Sequence, residues 1–90
     1  MARVGYAPGA AADLERLEEA APGCRTLIHG AVAMLSDHPR IGRVVDDASE
    51  ARELIISRGK TGYVALYRYD EVREEMIVAA IRHQRETGFE

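Results

Sequence analysis

Residues Tyr63–Glu86 read YVALYRYDEVREEMIVAAIRHQRE, and this stretch decides the fold. YVALYRY (Tyr63–Tyr69) is rich in aromatic and branched residues. It alternates Val64 and Leu66 against Tyr63, Ala65, Tyr67 and Tyr69, the period of two expected of a strand. MIVAAIRH (Met76–His83) is a second such run, and the same period places Ile77, Ala79, Ile81 and His83 on one face. The polar DEVREE between them reads as a hairpin loop. The second run passes without a break from apolar residues into Arg82, His83, Gln84, Arg85 and Glu86. Such a cluster at the end of a buried strand is a reaction site, a docking surface, or the point where the strand leaves the core.

Working outward, RELIIS (Arg52–Ser57) is a third strand, joined to the hairpin by RGKTG, a turn with two glycines. PRIGRVVDDASEA before it reads as loop, with a short extended piece at Gly42–Val45. Two helices precede the loop. Gly9–Ala21 is rich in Ala, Leu and Glu and repeats Leu14, Leu17 and Ala21 on one helical face. Pro8 sits at its start, where a missing N–H costs nothing, and Pro22-Gly23 ends it. From Cys24 to Leu35 a second stripe runs through Cys24, Leu27, Ile28, Ala31 and Leu35, and Ser36-Asp37-His38-Pro39 stops it. ARVGY at the N-terminus is a short strand. The order β-α-α-β-β-β predicts an α+β fold, an antiparallel sheet with a helical hairpin packed on one face.

Ninety residues, 47% hydrophobic and 30% charged, describe one globular domain spanning 1–90. No apolar run reaches the roughly 20 residues that span a bilayer, so no membrane role is expected. A single cysteine, Cys24, forms no internal disulfide, and no Cys/His ligand spacing is present. The expected compartment is the cytoplasm, Cys24 is expected in the core, and no metal or other cofactor is implied. The net charge of −3 argues against general nucleic-acid coating. Yet Arg52, Arg58, Lys60 and Arg68 fall within one segment against Glu53 alone, a local basic patch suited to a specific anionic contact or simply a solvated face.

The succession of Pro39, Gly42 and Arg43; Arg52, Glu53 and Leu54; Tyr63, Tyr67 and Arg68; and Arg82, His83 and Arg85 resembles the RelE/ParE superfamily. These are the toxin halves of bacterial type II toxin–antitoxin pairs, associated with plasmid stabilisation and growth inhibition. The opening YAPGAAADLERL is also similar to the family's start of helix one, except that Ala7 replaces the usual serine before Pro8 and leaves that helix without a side-chain N-cap. The resemblance implies a toxin that docks on a macromolecular target, with DNA gyrase the ParE-type candidate, and that a cognate antitoxin neutralises. A homodimer or a toxin–antitoxin hetero-oligomer is compatible with it. It also implies two alternatives: ribosome-dependent cleavage of mRNA, or a non-toxic remnant that binds only its antitoxin. The helical hairpin is shorter than is usual in gyrase-directed members, and the chain is acidic where ribosome-dependent members are basic.

For the RNA-cleaving alternative, attack of a 2′-hydroxyl on the adjacent phosphate needs a base, cations for the developing charge, and an acid for the leaving oxygen. Glu53 would be the base, Arg68 and Arg82 the phosphate-binding guanidinium groups, and His83 the proton-transfer group. Arg52, Arg58, Lys60 and Arg85 would contact the target or its phosphates. A plainer reading makes Arg68 and Glu53 a cross-strand ion pair, His83 a strand-end residue, and the tyrosines packing groups. Arg82 and His83 are adjacent on one strand and so point to opposite faces unless a bulge intervenes.

Overall fold

Local sequence accounts for both helices. The computed structural model describes residues 2–48, 50–59 and 61–84. After β1 (Arg3–Tyr6), helix α1 spans Pro8–Ala20 and α2 spans Cys24–Ala33, the latter running into a 3₁₀ turn at Met34–Ser36. Proline opens α1, and Ala7 gives no side-chain cap. The Ala7 amide is held instead by the carbonyl of Val78, at 2.9 Å. Between the helices Gly23 takes φ 98°, a left-handed conformation that glycine adopts without a Cβ penalty. No side chain of α2 caps its N-terminus. The carboxylate of Glu18 does so, accepting the N–H groups of Gly23 (3.0 Å) and Arg25 (2.9 Å). Those two hydrogen bonds hold the Glu18 carboxyl below the usual carboxylate range.

The remaining strands are β2 (Arg43–Asp46), β3 (Ala51–Arg58), β4 (Thr61–Asp70) and β5 (Glu75–His83). The extended piece expected near Gly42–Val45 is therefore a true strand, and the sheet has five members in the order β1-β5-β4-β3-β2. β2 to β5 form an antiparallel meander. β1 departs from the antiparallel expectation by pairing parallel to β5, with Arg3 opposite Glu75 and Tyr6 opposite Val78. The chain leaves β1 through the helices, starts the meander at the far edge, and returns beside its own beginning. Parallel neighbours need such a long crossover.

The helices cover one face of the sheet. Their stripes of Ala10, Leu14 and Leu17 and of Cys24, Ile28, Val32 and Leu35 pack on Ile56, Tyr63, Ala65, Tyr67, Met76, Val78 and Ile81. Cys24 is buried there, and Val32 joins a stripe in which Leu27 and Ala31 are only half-buried. The pairing of β4 with β5 shifts between Leu66 and Tyr67: Tyr67 faces Val78, while Leu66 faces Ala80. Ala79 is thus the extra residue of a β-bulge. The bulge corrects the period-two assignment for β5. Met76, Val78, Ile81 and His83 look toward the helices, and Ile77 looks away. Among the described residues no helix is long and apolar enough to cross a membrane.

Candidate functional site

The sheet face turned away from the helices carries the side chains that strand pairing places together. Ala51 stands opposite Arg68, Glu53 opposite Leu66, and Ile55 opposite Val64. Across β5, Arg68 faces Ile77 and Val64 faces Arg82. Alternation puts Arg52, Leu54, Ile56 and Arg58 on the other face. The basic patch read from Arg52 to Arg68 is therefore divided between the two sides of the sheet.

The four residues nominated for RNA cleavage are not gathered into one site. Glu53 is 3% exposed and is ion-paired with Arg43 of the edge strand β2, not with Arg68. Arg68 is exposed on the open face and has no carboxylate partner among the described residues. Arg82 leaves that face altogether: its guanidinium turns around the sheet edge to Asp13 of α1, at 2.5 Å. His83 stands opposite Tyr63 on the helix-covered face, their rings meeting edge to face at 5.5 Å. The opposite facing of Arg82 and His83 expected from adjacency persists, because the bulge at Ala79 precedes both.

Of the nominated contact residues, Arg58 lies within 3.5 Å of the Tyr63 hydroxyl on the helix side. Lys60 and Arg85 lie outside the described residues. Arg52 is a structural clamp. Its Nη1 donates to the carbonyls of Arg40 (3.0 Å) and Gly42 (2.7 Å). The Tyr67 hydroxyl completes the clamp by accepting the Gly42 N–H (2.8 Å) and donating to the Pro39 carbonyl (3.0 Å). Gly42 must be glycine, because a Cβ there would lie 2.5 Å from the Tyr67 oxygen and 2.8 Å from the Glu53 carbonyl. The Pro39-x-x-Gly42-Arg43, Arg52 and Tyr67 elements of the sequence thus meet in one place and fix the loop that leads into β2.

Two residues carry weight that sequence reasoning did not assign. Asp13 accepts both the Arg82 guanidinium and the Ile81 N–H (3.0 Å). β1 ends opposite Val78, so among the described residues no strand lies beside the outer edge of β5 beyond that point, and Asp13 supplies an acceptor there. His29, exposed on α2, shares a 2.9 Å hydrogen bond with the Tyr6 hydroxyl and ties α2 to β1. The lone aspartate within YAPGAAADLERL was the available signal for Asp13. Nothing in the sequence marked its partners.

Chemically, the central depression of this face offers one guanidinium among the described residues, Arg68, over an apolar floor of Leu66 and Ile77, with five carboxylates around it: Asp46, Glu50, Asp70, Glu71 and Glu75. No group of three or more potential metal ligands exists among the described residues. The family profile described as "ParE toxin of type II toxin-antitoxin system, parDE" matches residues 4–88. The chain belongs to the ParE toxin family. Its fold is also that of RelE proteins. In the crystal structure of the intact E. coli RelBE toxin–antitoxin complex, a chain superposes with TM-score 0.72 at 12% identity, covering 91% of this chain and 95% of that one. A chain of the RelBE2 complex from Mycobacterium tuberculosis gives TM-score 0.70 at 25% identity, covering 91% and 96%. A metal-bound toxin from Helicobacter pylori gives 0.62 at 11%, covering 97% and 99%. No curated protein sequence matches the chain. Family membership and shared fold make it a RelE/ParE superfamily toxin of the type II class.

Proposed function

We propose that this ParE-family chain inhibits growth by docking on a protein target in the cytoplasm, with DNA gyrase the candidate, and that a cognate antitoxin neutralises it. The observation that carries this reading is the disposition of the cations on the open sheet face. A phosphate-cleaving centre needs several converging cations and a proton-transfer group within about 3 Å of the reacting atoms. Here Arg82 is committed to Asp13, His83 faces the helices, and Arg68 stands among carboxylates that repel RNA. Assembly with antitoxins in the RelBE complexes supports an antitoxin partner for this chain as well.

The test runs two assays on the purified chain. Added to translating ribosomes, it leaves mRNA ends unchanged; added to gyrase, it inhibits supercoiling. Codon-aligned cuts that disappear in His83→Ala would replace this reading with the RNA-cleaving one.

A further inference from the structure

Among the described residues the sheet ends on one side in β2, which has a strand, β3, along one edge only. Every residue of β2 is exposed, whereas β1 at the opposite end of the sheet is half-buried beyond Arg3. β2 is also apolar where it meets water. Ile41, just before it, is 53% exposed, Val44 42% and Val45 44%. The two valines do not share one side. Val44 stands opposite Arg52, on the helix side of the sheet, and Val45 borders the open face. A helix laid on either face covers one valine and leaves the other in water. A strand that continues the sheet covers both, because its side chains alternate above and below. It also satisfies the row of backbone groups that an edge strand leaves unpaired.

The order of charges says which strand. From residue 43 the chain reads Arg-Val-Val-Asp-Asp, with a cation at one end and two carboxylates at the other. A parallel copy of this segment sets like charges side by side. An antiparallel copy sets the cation of each against the carboxylates of the other. A two-fold axis at Val45 places Val45 beside its own counterpart, Val44 opposite Asp46, and Arg43 opposite Asp47. Arg43 already neutralises Glu53, but its side chain is 74% exposed, and its forked guanidinium has N–H donors to spare. β2 is short, and its pairing with β3 is irregular between Val44 and Asp46. Short, bulged edges resist pairing, so the valines and the crossed charges must add to the backbone hydrogen bonds.

We propose that two copies of this chain associate through β2, antiparallel about Val45, so that their sheets become one continuous sheet. The contact is isologous and therefore closes at a dimer. Its small area places it at the weak end of protein interfaces, so the dimer forms and dissociates as concentration changes. The inference goes beyond the docking and antitoxin reading and does not depend on it.

The test uses the full chain alone. Sedimentation over about a hundredfold range of concentration is expected to show a reversible monomer–dimer equilibrium. Val44→Lys and Asp47→Arg are each expected to weaken it about tenfold or more, with melting temperatures near the parent's because both side chains are exposed. Val45→Cys tests the register. Directly opposed residues of antiparallel strands have Cα atoms about 4.5–5.5 Å apart, within the span of about 4.4–6.8 Å that a disulfide bridges. Mild oxidation is therefore expected to convert Val45→Cys to a covalent dimer much faster than Ile55→Cys, a control on the exposed side of β3. A parent chain that stays monomeric at every concentration, with no preferential cross-linking of Val45→Cys, overturns the proposal. A dimer that is indifferent to Val44→Lys and Asp47→Arg and does not cross-link at Val45→Cys overturns it too, since the copies then meet elsewhere.

Discussion

Tyr67 is the residue on which the loop into β2 depends. It is fully buried, and its hydroxyl has one donor and one acceptor partner on a backbone loop. Tyr67→Phe keeps the packing and strands the Gly42 N–H and the Pro39 carbonyl. An unsatisfied buried group costs about 1–3 kcal/mol, so the expected loss is about 2 kcal/mol, or roughly 10 °C in melting temperature for a domain of this size. Thermal denaturation measures it; an unchanged midpoint would mean that the loop does not need the hydroxyl. Gly42→Ala is expected to be as damaging, because the added carbon meets both the Tyr67 oxygen and backbone. Arg68→Ala is the contrasting case. With no ion pair to lose among the described residues, it is expected to move the midpoint by less than about 2 °C, within the ±0.5 kcal/mol usual for surface changes. A large drop would make Arg68 a strut.

At the scale of elements, two carboxylates on α1 do work that no strand or helix period announces. Asp13 ends the exposed edge of β5 and holds Arg82 off the open face. Asp13→Ala strands the Ile81 N–H and is expected to cost about 1–3 kcal/mol, with faster amide exchange at Ile81 as its local signature. Glu18 caps α2 across the inter-helix turn, and its lowered pKa fixes the direction of a pH effect. A group whose folded pKa is depressed stabilises the fold above its ordinary value, here 4.5, and that contribution is lost as pH falls through the folded pKa. The parent chain is therefore expected to lose this contribution on acidification below about pH 4.5. Glu18→Gln should be less stable at neutral pH and show a shallower acid limb. Parallel acid titrations of the two proteins, followed by circular dichroism, would reveal an identical limb if the cap were unimportant. Helix stripes and strand alternation were legible because they repeat within a few residues. Asp13 and its partners Ile81 and Arg82 are brought together across most of the chain's length, beyond the reach of any local period.

For the whole molecule, the uneven charge seen in the sequence resolves into two surfaces. Alternation divides Arg52 and Arg58 from Arg68, and the carboxylates of the β2–β3 and β4–β5 connections converge around the open face. The toxin reading predicts that expression of the chain without its antitoxin arrests bacterial growth. His83→Ala should arrest growth as strongly as the parent, since His83 packs on Tyr63 rather than facing a substrate. Growth curves at matched soluble expression decide this, and a harmless His83→Ala would restore a chemical role to that residue.

The sequence by itself determined the two helices, the β4–β5 hairpin, the buried cysteine and the absence of a side-chain cap at Ala7, because each follows from residues close together in the chain. Its motif residues also pointed to the RelE/ParE class. Only the tertiary structure decided that β1 runs parallel to β5, that Ala79 bulges and turns Ile77 outward, and that Arg82 is bound to Asp13. Only the fold, too, divided the nominated site residues between two faces. The physical reason is that periodicity assigns a side chain to a face of its own element. Which elements become neighbours, and in what register, is set by packing and hydrogen bonding over the whole chain.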